Sequence, residues 1–264
     1  MKQKAFFIFL FSSFILLVSC GGNGSNPKNS FALKGNLQGD AKQSLWLEEM
    51  TPDGHIFVDS IPFDNNGDFT YHSKEIPYHT LYILHVGNFA ITLLPSEGEV
   101  IHLDIKTDAR SLTYDVKGSP ESTLLWQLQN YSNDGLKILY SLVDTVARYD
   151  NLLAAGAINQ KTYDSKKDEC DSIFRDAFVE QQEYAYHFIE EHKGSLTSLI
   201  ALYKDFNRRP LIDPHDPNSI DYYDLVLEGL QQTLPDNPHT LHFKNTTEHL
   251  RSALARQDEI VNKN

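Results

Sequence analysis

Between Phe31 and Gly118 apolar residues return at every second position, in short runs broken by turn-forming residues. Phe31, Leu33 and Leu37 fall on one side of such a run. So do Leu45 and Leu47, Ile56 and Val58, Phe69 and Tyr71, Ile91 and Leu93, and then Ile101, Leu103 and Ile105. A period of two is that of a strand with one face in a core and the other in water. Pro52-Asp53-Gly54 reads as a hairpin loop, Asn65-Asn66-Gly67-Asp68 as a tight turn, and Glu97-Gly98-Glu99 as another. Roughly eight strands joined by short turns predict an antiparallel β sandwich or half-barrel. It would occupy residues 31–118.

After Lys117-Gly118 the period becomes helical. Ser119 is placed to cap a helix with Pro120 in its first turn. Leu124, Leu125 and Leu128, then Leu139, Val143 and Val146, recur at helical spacing, and Asn133-Asp134-Gly135 predicts a kink or interruption. A second helix is expected from about Asn159 to Lys193, with Gly194 as its stop. Its apolar stripe is Cys170, Ile173, Phe174, Ala177, Phe178, Tyr184, Phe188 and Ile189. Shorter helices are expected at Ser195–Phe206, Ile220–Leu234 and Thr240–Gln257, with Pro210, Pro214 and Pro217 in the loop between the first two. The fold class is therefore α+β: a β-rich domain at 31–118, a helical region at 119–258 and a tail at 259–264.

The N-terminus follows another logic. Lys2 and Lys4 precede an uncharged apolar run, Ala5 to Val18. That run has the length of a signal-peptide core and is short of the roughly 20 apolar residues that span a bilayer. It ends in Leu17-Val18-Ser19-Cys20, which resembles the lipobox of bacterial lipoprotein precursors. The resemblance implies a signal peptide at 1–19, cleavage before Cys20, acylation of Cys20 and attachment to the lipid bilayer through it. Gly21-Gly22-Asn23-Gly24-Ser25-Asn26-Pro27 then reads as a flexible tether, within a lipidated segment at 20–30. No Asp or acidic cluster follows the cysteine, which by the same resemblance points to the periplasmic face of the outer membrane.

Charge narrows the partners. The chain has 36 acidic and 23 basic residues, a net charge of −13, and so repels phosphate backbones; nucleic acid is excluded as a partner. There are two cysteines, Cys20 and Cys170; with Cys20 acylated no internal disulfide forms. Cys170 lies among Asp168, Glu169 and Asp171 on an apolar stripe, where burial and carboxylates oppose thiolate formation, so it reads as a packed core residue.

Metal ligation finds no motif. His239 and His242 stand three apart at a helix start, His187 and His192 five apart, and His72, His79, His85 and His102 are scattered; none belongs to HExxH or accompanies a CxxC. Asp64, Asn66 and Asp68 alternate as calcium ligands do, but Asn-Gly between two alternating runs is the stronger signal and predicts a hairpin. Asp213-Pro214-His215-Asp216 reads as turns. No cofactor is implied. Of the 13 tyrosines and 15 phenylalanines, Phe57, Phe63, Phe69, Tyr71, Tyr78, Tyr82 and Phe89 fall on the β half, and some are candidates to line a groove for a glycan or peptide. Asp59-Ser60-Ile61, Asp144-Thr145-Val146 and Asp171-Ser172-Ile173 resemble the acceptor pattern of periplasmic O-glycosylation, and Ser60, on the β half, is the candidate site.

Several landmarks come in order. They are the lipobox, Phe31-Ala32-Leu33-Lys34-Gly35, Val58-Asp59-Ser60-Ile61, Asn66-Gly67-Asp68-Phe69, Leu81-Tyr82-Ile83-Leu84, Gly98-Glu99-Val100-Ile101-His102-Leu103 and Val116-Lys117-Gly118-Ser119-Pro120-Glu121-Ser122. This resembles the N-terminal region of thioredoxin-like thiol–disulfide oxidoreductase lipoproteins, where a β-rich domain of unknown function and helices precede a thioredoxin-like domain. Redox work in that family belongs to a CxxC in the last domain, and no CxxC occurs in this sequence, which ends at Asn264. The expectation is the accessory half alone: a membrane-anchored, non-catalytic binding or interaction module for an envelope protein, glycan or peptide. One alternative is an accessory subunit of a separately encoded thioredoxin-like partner. Another is an enzyme whose site forms no motif.

Overall fold

A computed structural model describes residues 29–39 and 44–261. The expected signal peptide, Cys20 and the expected tether up to Lys28 lie outside the described residues, as do the last three of the tail. Eight strands come first: β1 (Ala32–Gln38), β2 (Leu45–Thr51), β3 (Gly54–Ile61), β4 (Asp68–His72), β5 (Leu81–Val86), β6 (Phe89–Leu93), β7 (Val100–Thr107) and β8 (Leu112–Lys117). They form two four-stranded sheets, β4-β1-β7-β8 and β3-β2-β5-β6. The alternating residues of both sheets close one core, in which Leu33, Leu47, Leu84, Ile91, Ile101 and Leu103 are fully buried. Phe31 and Tyr82 meet across it with ring centroids 5.0 Å apart. The architecture is α+β, with a sandwich for its β part.

One pairing departs from an all-antiparallel sandwich. β1 and β7 run parallel, Leu33 opposite Ile101 and Gly35 opposite Leu103. Parallel neighbours need a long crossover; here the chain supplies it by passing into the second sheet twice, through β2–β3 and β5–β6, before returning as β7.

Two local expectations are corrected. Ile56 does not join the core but is 56% exposed, as is its neighbour Phe57 at 59%. β3 is an edge strand, and its register on β2 shifts between Leu47 and Glu48, so the simple alternation breaks there. Asn65-Asn66-Gly67-Asp68 is a tight turn, but it carries the chain from one sheet to the other, closed by a Phe63–Phe69 bridge. Asp64 Oδ1 accepts from the amides of Asn66 and Asp68, at 2.8 and 2.9 Å, which commits that oxygen to the turn.

Five helices follow: α1 (Pro120–Ala154), α2 (Gln160–His192), α3 (Thr197–Leu202), α4 (Ile220–Thr233) and α5 (Pro238–Val261). Ser119 Oγ accepts from Ser122 N at the start of α1, and Asn159 Oδ1 from Thr162 N at the start of α2. α1 runs unbroken through Asn133-Asp134-Gly135, against the expected interruption. Gly135 faces α2, where an added Cβ would lie 2.7 Å from Gln181 Nε2, so this glycine serves close packing. Val143 and Ile173 of the expected stripes are 57% and 40% exposed. Two helices packed on one another bury a narrower seam than a helix laid on a core.

The helix expected at Ser195–Phe206 stops at Leu202. Beyond it Asp205–Phe206 (β9) and Arg209–Pro210 (β10) form a small hairpin. Its turn residues Asn207 and Arg208 both take left-handed φ, 55° and 61°, angles foreign to a right-handed helix. The Arg209 guanidinium stands 4.3 Å from the Phe178 ring centroid and holds the hairpin onto α2. No described helix is long and apolar enough to cross a membrane.

Candidate functional site

The sandwich and the helices share a wall. β5 is buried on both faces because its outer residue Leu81 packs into the helical core. Hydrogen bonds tie the two parts together. Trp126 Nε1 donates to Tyr114 O at 2.6 Å, Leu94 N to Ser122 Oγ at 3.0 Å, and Asn237 Nδ2 to His79 O at 2.6 Å. At the start of α5, His239 Nε2 lies 2.9 Å from Thr80 Oγ1, and the Thr80 hydroxyl donates to Met50 O at 3.1 Å. That direction makes Thr80 the acceptor from His239.

Where β2, β5, α3 and α5 meet, a cavity of about 550 Å³ opens. Met50, Leu81, Leu199, Ile200, Tyr203 and Phe243 make it mainly apolar, and Thr51, Lys204, Asp205, His239 and His242 add polar groups. Small-molecule sites commonly combine such a volume, apolar walls and a few polar groups. Burial pushes the Lys204 ammonium down to about 8, against the opposing charge of Asp205. The Lys204 ammonium donates to Gln129 Oε1 at 3.0 Å, a neutral partner. Burial also lowers His239, opposed by a hydrogen bond to the Met50 backbone and reinforced by His242 and His79.

Thr80 and His239 form a hydroxyl–imidazole pair beside the cavity. It does not make a nucleophile: Thr80 is fully buried and its proton is committed to Met50 O. The pair latches α5 to the sandwich.

A second cluster joins the same two parts. Glu121, in the first turn of α1, receives His79 Nε2 at 2.6 Å on one oxygen and Ser195 Oγ at 2.5 Å on the other. The carboxylate stands between serine and imidazole, so the imidazole is not placed to take the serine proton. Burial works to raise the Glu121 carboxyl, but the hydrogen bonds from His79 and Ser195 and the His79 charge outweigh it and hold the carboxyl below its ordinary 4.5. A depressed carboxyl stabilises the fold above its unfolded value, and that contribution is lost as pH falls through the folded value. Glu121→Gln is therefore expected to lower stability at neutral pH and to flatten the loss of stability below about pH 4.5. Urea midpoints between pH 3 and 7 measure this; parallel curves for variant and wild type would refute the clamp.

The remaining sequence-selected residues are dispersed. Cys170 is buried and free, at one side of a groove of about 460 Å³ with Val143, Val146 and Phe174. His239 and His242 come together at the cavity, while His187 pairs with Glu190 and His192 lies near Glu191 on α2. His85 stacks on Trp46 at 3.5 Å and bonds Glu48. In the Asp213–Asp216 segment, Asp213 Oδ1 accepts from His215 N and Asp216 Oδ1 from Asn218 N, which is turn chemistry. Among the described residues no three His, Cys, Asp or Glu side chains are placed to hold a metal ion. Ser60 is exposed on β3, its amide donating to Asp59 Oδ1. Sequence reasoning missed Thr80, Lys204 and Tyr203, whose only signal is their meeting in space.

No protein-family model matches the chain, and no curated protein does. Among solved structures there is a partial likeness to a chain described as a "putative cell adhesion protein" from Bacteroides ovatus ATCC 8483, at 10% identity and a TM-score of 0.21. The match covers 34% of this chain and 43% of that one, and it carries no argument about function.

Proposed function

We propose that this chain is a lipid-anchored protein of the periplasmic face of the outer membrane, held through Cys20, whose body is a non-catalytic binding module. The ligand seat is the cavity between β2, β5, α3 and α5. One observation carries the reading: a mainly apolar cavity of about 550 Å³ with polar groups gathered on its wall. The lipobox-like Leu17-Val18-Ser19-Cys20 supports the anchor.

Ile200 lines the cavity, and Ile200→Trp fills part of it. The neutral dye N-phenylnaphthylamine, which brightens in apolar surroundings, is expected to bind the wild-type body saturably. It should bind the Ile200→Trp variant about tenfold more weakly, the loss of roughly 1.4 kcal/mol of contact. Thermal melts confirm that the variant folds. Equal binding by both proteins would place the seat elsewhere, and no binding by the wild type would refute the module.

A further inference from the structure

The cavity holds an unusual balance of charge for so acidic a chain. Lys204 forms part of its wall, and the one hydrogen-bond partner of its ammonium is the neutral Gln129 amide at 3.0 Å. An ammonium has three donors, so two are left over. Among the described residues no carboxylate pairs with Lys204. Asp205 beside it accepts from Arg208 N at 3.2 Å, within the β9–β10 turn. A partly buried cation whose hydrogen-bond partner is neutral and which forms no direct ion pair is costly, and sites that bind ions are where such groups are kept.

His239 and His242 belong to the first turns of α5, a 24-residue helix with no acidic residue in its first turn. The amino end of such a helix favours negative charge. Leu81, Leu199, Tyr203 and Phe243 supply apolar wall to the same cavity.

Resting on the reading of this cavity as the ligand seat, we infer that its ligand is a small amphipathic carboxylic acid, with the apolar body among Leu81, Leu199 and Phe243 and the carboxylate on Lys204. A cationic or purely apolar ligand would leave the Lys204 ammonium unanswered.

The test uses decanoate, decanol and decyltrimethylammonium as probes, so that chain length is held and the head group varies. The protein is the Cys20→Ala chain exported behind an ordinary secretory leader, with everything from Gly21 to Asn264 intact. Titration calorimetry at pH 7 is expected to show decanoate at least about tenfold tighter than decanol, the worth of a charge-assisted hydrogen bond. Lys204→Met should remove that preference, and Lys204→Arg should restore it. The decanoate preference should weaken as pH rises past about 8, where the Lys204 ammonium loses its proton. Equal binding of decanoate and decanol, or a preference that survives in Lys204→Met, overturns the acid assignment and leaves the cavity as a seat for apolar ligands. Binding of none of the three overturns the acid assignment and the cavity reading together.

Discussion

Adding a single methyl group at Gly35 is expected to cost the sandwich about 3 kcal/mol or more, a large share of the roughly 5–15 kcal/mol that holds an ordinary domain. Gly35 lies in the middle of β1, between β4 and β7. A Cβ there would fall 2.0 Å from Leu103 O and 2.7 Å from the tip of the Phe69 ring. The ring can turn, but the carbonyl belongs to the β1–β7 ladder and moves only if the sheet does. Gly35→Ala should therefore lower the urea midpoint sharply, whereas Thr113→Ala, on the exposed face of β8, should change stability by no more than about 1 kcal/mol. Combining Gly35→Ala with Phe69→Leu separates the two obstacles. If the double variant regains wild-type stability, the ring was the obstacle and the backbone argument fails. Because Met50 and Leu81 line the cavity from the β side, loss of the sandwich should also abolish dye binding.

The parts of this fold legible in the sequence are those set by neighbours in the chain. Ser119 announces a helix because a cap acts within three residues, and it does cap. The alternation of Ile101, Leu103 and Ile105 is read correctly because a strand's faces are local. What failed was decided by distant partners. The parallel pairing of β1 with β7 joins residues about seventy positions apart, and nothing in either strand states its direction. Gly135 looks like a break until Gln181 of α2 is set against it. The β9–β10 hairpin depends on Asn207 and Arg208 taking left-handed angles, which for arginine has no sequence signature.

The candidate site was less legible still. Its walls come from Met50, Leu81, Leu199 and Phe243, which share no motif. His239 and His242 drew notice as a metal-like pair, yet His239 is committed to Thr80 and the histidines matter by position. Lys204 sits in a stretch read as helix, where a lysine is ordinarily solvated. Its distinguishing property, an ammonium turned inward to a neutral amide, arises only when α1 lies alongside.

Cys20→Ala is expected to remove all fatty-acyl label from the protein in cells fed an alkyne analogue of palmitate, while Cys170→Ala retains it. The two cysteines make this a clean comparison, since Cys170 is buried on α2 and away from any acyl donor. The physical need for the modification is also specific. No described helix can cross a membrane, and the apolar run Ala5–Val18 is shorter than the roughly 20 residues a span requires. A chain with a net charge of −13 is repelled by anionic lipid, so its surface does not hold it there. One acyl chain gives only marginal, reversible attachment, whereas several chains, each worth about 0.8 kcal/mol per buried CH₂, make it durable. Wild-type protein should therefore stay with the membrane through a high-salt wash, because its attachment is apolar and unscreened. Unlabelled wild-type protein, or label that persists in Cys20→Ala, would sink the anchor. The cavity reading would stand, since every residue lining the cavity lies beyond position 49.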